Sequence, residues 1–227
     1  MAKIRVLIAD DHAIVRMGLV ALMSAESDIE VVGEAKNGGE AIRESFRLKP
    51  DIVIMDILMP RKDGIAATKE LREKLPDTKV LVLTSVGTSN DISRAMAAGA
   101  SGAILKNADN GNIIDAIRNI VAGKQVLSRE VRKLMKDEPP IPALSPRQQD
   151  ILASLTRGLT NNDISKQLGI SIPSVKTHLV ALFSKLGAAN KAEAVAIALR
   201  KHLLWRQKVE VESGAVRART AEDKPAA

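Results

Sequence analysis

Five side chains able to do phosphoryl or metal chemistry each stand at or directly behind an apolar run. Asp10 and Asp11 follow Val6-Leu7-Ile8-Ala9, Asp56 follows Ile52-Val53-Ile54-Met55, Thr84 closes Val80-Leu81-Val82-Leu83, and Lys106 follows Ala103-Ile104-Leu105. Three carboxylates brought close together repel one another, and their pKa values rise unless a cation sits among them. An oxygen-only donor set with open positions suits a hard ion, Mg2+ above all when a phosphate completes the shell. A lysine adds a point charge and a threonine a hydroxyl donor, and phosphoryl transfer is mostly positioning and charge neutralisation. An aspartate carboxylate can itself be the nucleophile and form an acyl phosphate. Taken singly, a polar residue behind an apolar run is usually a solvated strand terminus. The five types together are far less ordinary and make a coherent phospho-acceptor set.

For these groups to meet, their runs must be neighbouring strands of one parallel sheet. Short β-type runs at 4–9, 30–34, 52–55, 80–84 and 102–105 alternate with helically spaced stretches at 13–24, 39–48, 64–75, 90–98 and 110–122. Repeated βαβ of this kind predicts an α/β domain whose parallel sheet is covered by helices on both faces. The unbroken apolar character of Val6-Leu7-Ile8 and Ile52–Met55 fits strands buried on both sides. The expected fold is a flavodoxin-like (βα)5 unit with strand order 2-1-3-4-5. In that order strands one, three, four and five are neighbours. Open parallel sheets place their working groups at the carboxyl ends of strands, which gathers all five residues in one cleft.

The alternation stops after residue 123. A charged run from Arg129 to Glu138 leads into Pro139-Pro140-Ile141-Pro142, and 124–143 reads as a linker with room for a helix before the prolines. Residues 144–204 carry four helical segments and no strand pattern, so a small all-α domain is expected there. The remainder, 205–227, has too little to bury and reads as disordered. A chain of 227 residues suits two modest domains, here 1–123 and 144–204. Without cysteine there is no disulfide framework or thiolate metal site. No apolar run approaches the length needed to cross a bilayer, and MAKIRVLIADD is unlike a signal peptide. A cytoplasmic protein with no membrane partner is the expectation. The net charge of +7 is uneven: residues 1–127 carry 17 basic and 17 acidic side chains, whereas 139–205 carry 8 and 3. Such asymmetry fits a polyanionic partner for the second half, although a solvated basic surface accounts for the charge equally well.

Ser145-Pro146 is a helix start, with serine as N-cap and proline in the first turn. Ile151, Leu152 and Leu155 fall on one face and Gly158 closes that helix. Thr160 opens a short second helix, and Gly169-Ile170 turns into Ser171, the N-cap of a third helix running to Leu186. Two helices joined by a short glycine turn make a helix-turn-helix, whose second helix enters the DNA major groove. On the third helix Val175, Leu179, Leu182, Phe183 and Leu186 form an apolar stripe for the core. Ser174, Lys176, Thr177, Val180 and Ala181 lie off or beside it. Lys176 and Thr177 can reach base edges or phosphates, and Val180 a thymine methyl. Lys185, Lys166 and Asn161 or Asn162 are candidates for backbone contacts. For any single lysine, a solvated helix face is the commoner explanation.

The segments "LIADDHAIVRMGL", "DIVIMDILMPRKDG", "VLVLTS" and "AAGASGAILK" resemble the receiver domain of two-component response regulators, in particular the NarL/FixJ branch. "LSPRQQDIL", "GLTNNDISKQL", "SVKTH" and "KLGAANKAEAV" resemble the LuxR-type helix-turn-helix. The resemblance implies that Asp56 is phosphorylated by a sensor histidine kinase. It implies further that Asp10, Asp11, Asp56 and the Leu58 carbonyl hold Mg2+, and that Thr84 and Lys106 contact the phosphoryl group. It also implies a transcription factor that binds double-stranded DNA as a homodimer, with RNA polymerase a candidate partner. His12, beside the acid pair, is expected to be structural. Three departures stand out. Ala103 occupies the place where the family usually has Tyr or Phe, so the aromatic readout of phosphorylation is absent. Gln148 replaces a usual glutamate, removing a structural ion pair, and Val180 sits where some relatives carry lysine. The last helix, Ala194 to Leu199, is apolar all round, as a dimerising helix would be.

Two other readings compete. A phosphatase or phosphotransferase using Asp56 as nucleophile would want a second acid two residues on, and that position is Leu58. The protein is therefore expected not to be an enzyme beyond its own phosphoryl transfer and dephosphorylation. A phosphorylation-independent DNA-binding regulator, with a receiver serving mainly for dimerisation, draws on Ala103 and is opposed by the complete acid set.

Overall fold

The apolar runs become strands and the amphipathic stretches helices, over residues 3–84, 88–106 and 110–204, which the computed structural model describes. The chain divides into two compact units that meet at Pro139 and Pro140. In the first, strands β1 (Ile4–Ala9), β2 (Ile29–Ala35), β3 (Ile52–Asp56), β4 (Lys79–Thr84), β5 (Gly102–Leu105) and β6 (Val126–Leu127) form one sheet in the order β2-β1-β3-β4-β5-β6. Every pairing is parallel. Helices α1 (Ala13–Ser24), α2 (Gly38–Leu48), α3 (Gly64–Lys74), α4 (Ser89–Ala97) and α5 (Asn110–Val121) connect the strands.

Residues alternate across the sheet into two separate cores. Leu7, Val53, Met55 and Val82 pack with α2, α3 and α4 on one face. Val6, Ile8, Ile52, Ile54, Leu81 and Leu83 pack with α1 and α5 on the other. Each such side chain contributes about 1.5–3 kcal/mol on burial, which is why Val6–Ala9, Ile52–Met55 and Val80–Leu83 run without a polar residue. Asn37, Asp63 and Thr88 cap α2, α3 and α4 by accepting from the backbone amides of Glu40, Ala66 and Asp91, so each helix begins at a defined residue beyond its strand.

The stretch 124–143, read from sequence as linker, is largely folded. Val126 donates to the Ser101 carbonyl and Ser128 to that of Ala103, so β6 extends the sheet beyond the expected five strands. Ser128 then caps α6 (Arg129–Asp137). Val131, Leu134 and Met135 of α6 pack into the same core as Ala103, while Ile141 and Leu144 pack within the second unit. Spacing of three and four residues inside a charged run concealed this apolar face. A two-residue strand is too short to show any period.

In the second unit, α7 (Pro146–Thr156), α8 (Asn161–Leu168), α9 (Ile172–Leu186) and α10 (Lys191–Arg200) surround a core of Ile151, Leu152, Ile164, Val175, Leu179, Leu182 and Ala198. Ser145 and Thr160 make capping boxes with Gln148 and Asp163, and Ser171 caps α9. Gly169, at φ 63, takes the left-handed conformation that turns α8 into α9. No helix among the described residues is long and apolar enough to cross a membrane. The expected tail, 205–227, lies outside the described residues.

Arg118 ties α5 to the loop before β2. Its Nε and Nη2 donate to Asp28 at 2.9 and 2.8 Å, and Nη2 also to Glu26 at 2.6 Å. The Arg118 hydrogen bond holds the Asp28 carboxyl below its ordinary range against a small opposing effect of burial. A carboxyl depressed in the folded chain stabilises above its unfolded pKa and stops doing so as pH falls through the folded value. Arg118→Met is expected to lower the urea midpoint of the first unit near neutrality and to change it little in acid. Equal losses at both pH values would contradict the assignment.

Candidate functional site

The ends of β1, β3, β4 and β5 bring the sequence-singled residues into one place. The Asp10 amide donates to the Ala35 carbonyl, which fixes the residue just past β1. Asp56, last in β3, lies in register with Leu83, and Thr84 with Leu105. The Lys106 amide then donates to the Thr84 carbonyl at 2.8 Å. Lys106 Nζ lies 2.5 Å from Asp10 Oδ2 and 3.0 Å from Asp56 Oδ2, bridging the two acids. Asp10, Asp56 and Thr84 are buried, whereas Asp11 is partly open to solvent. Leu58 follows in the turn after β3, half-buried.

Burial pushes the Asp56 carboxyl above its ordinary value. Lys106 pulls it back in part, and Asp10 and Asp11 push it further up. Burial alone would lower the Lys106 pKa, but its bond to Asp10 and the charge of Asp56 outweigh that and raise it. Three carboxyl groups thus stand around one ammonium. Donor atoms of Asp10, Asp11, His12 and Asp56 all lie within 4.8 Å of one another. A hard divalent cation fits such a set. His12 stands beside the acid pair. Its backbone amide donates to Asp10 Oδ1 at 2.8 Å, while its exposed ring lies 2.8 Å from Asp11 Oδ1.

The turn after Asp56 leaves no room for a side chain at Gly64. A Cβ there would stand 1.9 Å from the Asp56 carbonyl oxygen. The Gly64 amide donates instead to the Ile57 carbonyl at 2.9 Å, and Asp63 caps α3. Arg61 is held at φ 66, a region costing a non-glycine residue roughly 1–2 kcal/mol. The Gly38 amide on the Lys62 carbonyl secures the same loop.

Ala103 is fully buried in β5, with Val82 as its neighbour on one side and Leu127 on the other. The core on its face of the sheet also holds Ile92 of α4 and Val131 of α6. The sequence pattern also missed Arg16, a buried arginine in line with Leu19 and Met23 on α1. The available signal was a charged residue on an otherwise apolar helix face.

In the second unit, Lys176, Thr177, Val180 and Ala181 are exposed along α9, Val180 by 70 %. Ser174 is half-buried and its hydroxyl lies 2.9 Å from that of Ser171. Lys185, expected at a DNA phosphate, donates within the domain to the Ala143 carbonyl at 2.9 Å and to Gln148 Oε1 at 3.1 Å. Gln148 thus keeps, as a hydrogen bond from the Lys185 ammonium to a neutral amide oxygen, the tie that a glutamate would make as an ion pair. Lys166 and Asn162 are exposed, whereas the Asn161 Oδ1 atom is buried without a partner. On α10, Ala194, Ile197 and Ala198 face the core while Leu199 stays 64 % exposed, so the helix is not wholly buried within its own unit.

Residues 6–118 match the family described as response regulator receiver domain, and residues 142–198 that of bacterial regulatory proteins, luxR family. The transcriptional regulatory protein LiaR of Bacillus subtilis is 41 % identical over 211 residues, covering 88 % of this chain and 99 % of LiaR. The response regulator protein VraR of Staphylococcus aureus is 39 % identical over 206 residues, with the same coverage. Among solved structures, the response regulator ChrA of a heme-sensing two-component system superposes with a TM-score of 0.55 at 38 % identity, covering 89 % of this chain and all of that one. RcsB of Salmonella enterica, bound to promoter DNA with the phosphomimetic BeF3−, gives 0.67 at 25 % identity, with 87 % and 98 % covered.

Gly64→Ala is expected to push the Asp56 carbonyl aside, costing about 1–3 kcal/mol as overpacking does. The denaturant midpoint of the first unit should fall accordingly. A midpoint unchanged from the parent protein would contradict the close approach described above.

Proposed function

The chain belongs to the response regulators that join a receiver domain to a LuxR-type DNA-binding domain, and from that membership we propose that phosphorylation of Asp56 by a sensor histidine kinase governs transcription through its second domain. The observation that carries this reading is Lys106 bridging Asp10 and Asp56 at the ends of neighbouring strands. An Asp56 carboxylate oxygen attacks the phosphorus of the donor's phosphohistidine, the P–N bond breaks, and an acyl phosphate forms. Asp10, Asp11, Asp56 and the Leu58 carbonyl would hold Mg2+, which supplies positive charge to the phosphoryl oxygens when bound. Lys106, at present on both acids, turns its ammonium to one of those oxygens, and the buried Thr84 hydroxyl donates to another. Phosphorylation can act only by favouring one of two pre-existing arrangements of the protein.

The functional domains we take as 1–123 and 144–204. In the second, α9 is the recognition helix, with Ser174, Lys176, Thr177, Val180 and Ala181 towards DNA. Lys185 braces the domain through Gln148. RcsB dimers are known on DNA, and the exposed Leu199 supports pairing of this chain through α10. A second reading is favoured by Ala103: a regulator whose DNA binding does not depend on phosphorylation.

Acetyl phosphate with Mg2+ should label the protein and leave Asp56→Asn unlabelled; equal labelling of the two would sink the phospho-acceptor assignment. On nonspecific duplex DNA, affinity should fall steeply with salt. Lys176→Ala should weaken it and flatten the slope by about 1, as loss of one phosphate contact does, while Lys69→Ala on α3 changes neither. Equal losses from the two lysines would argue against α9.

A further inference from the structure

Arg16 is only 8 % exposed, an unusual place for a guanidinium, and nothing in the phosphoryl chemistry above touches it. Its Nη1 donates to the carbonyl oxygen of Asp10 at 2.9 Å. Its Nε donates to Glu34 Oε2, also at 2.9 Å, near the carboxyl end of β2. Glu34 remains half exposed, so the charge pair is anchored at the rim while the guanidinium reaches inward. The Asp10 carbonyl belongs to the peptide joining Asp10 to Asp11. Its orientation therefore sets the directions in which both carboxylates leave the backbone. The Asp10 amide is held separately by Ala35 of β2, so Arg16 clamps the side of Asp10 that the sheet leaves unheld.

We infer that Arg16 is a positioning residue for the acid pair: through the Asp10 carbonyl it holds Asp10 and Asp11 at the spacing that receives a divalent cation beside Asp56. The inference rests on the assignment of those acids under the proposed function. Burying a guanidinium costs solvation that a hydrophobic residue of similar length would not lose. A donor fork that meets a carbonyl and a carboxylate together is what arginine supplies and an apolar side chain cannot. Groups that orient metal-binding side chains typically affect affinity by about 10–100-fold when removed.

The test is calorimetric titration of Mg2+ into the full chain with no phosphodonor present, alongside the thermal midpoint of each variant. Arg16→Met, similar in length but without donors, should raise the Mg2+ Kd about ten-fold or more. Arg16→Lys should recover part of the loss, because an ammonium can still donate to the Asp10 carbonyl. A purely structural arginine would lower the thermal midpoint and leave the Kd of the folded protein alone. A Kd within about two-fold of the parent in folded Arg16→Met therefore overturns the inference. Should Arg16→Met not fold, Glu34→Gln decides: a weaker anchor should raise Kd with little change in midpoint, and an unchanged Kd there counts against it. Asp11→Asn separates the two levels of the argument. If it binds Mg2+ as the parent does, the acid assignment has failed, not the role of Arg16.

Discussion

Crowding of like charge at the carboxyl edge of the sheet is the constraint on which the rest of the molecule depends. Two buried carboxylates, Asp10 and Asp56, share one ammonium, Lys106, with a third carboxylate at Asp11 close by. Two unit charges 4 Å apart interact by about 4 kcal/mol at the effective dielectric of a protein surface. Placing such a set therefore demands rigid supports. The sheet supplies them through the apolar runs Val6–Ala9, Ile52–Met55 and Val80–Leu83, buried on both faces and followed directly by Asp10, Asp56 and Thr84. Strand order then decides which ends meet. The same crowding explains why burial and the neighbouring acids raise the Asp56 carboxyl, and why additional positive charge is welcome there.

Lys106 also connects this edge to the rest of the chain. It follows β5 directly, three residues beyond Ala103, whose carbonyl holds the amide of Ser128, the N-cap of α6. Helix α6 packs its Val131 into the core shared with Ala103 and leads to the proline run where the two units divide. A contiguous backbone route thus runs from the lysine that bridges the two acids to the junction. The small residue at 103 and Val131 of α6 belong to one core.

Much of this arrangement was legible in the sequence. Short apolar runs alternating with helical spacing marked five strands, the order 2-1-3-4-5 came from the parallel α/β fold they implied, and the polar residue ending a run marked Asp10, Asp56, Thr84 and Lys106. In the second domain Ser145, Thr160, Ser171 and Gly169 marked helix boundaries because caps and left-handed turns restrict residue type strongly. What escaped notice depends on contacts between distant segments. The packing of α6 into the first core rests on Val131, Leu134 and Met135, an apolar face hidden in a charged run. Arg16 owes its role to a carbonyl on another element and Glu34 on a third. Lys185 looks like any basic residue of a recognition helix until Gln148 and Ala143 are seen to hold it.

The central claim is that a phosphoryl group is received by Asp56 and by no other acid of the cluster. An acyl phosphate is reduced by borohydride to an alcohol, which converts the modified aspartate to homoserine and fixes its position in the chain. Peptide mass mapping after phosphorylation in Mg2+ and borohydride reduction should find homoserine at position 56 alone. Homoserine at Asp10 or Asp11, or phosphorylated protein that yields none at position 56, would contradict the account.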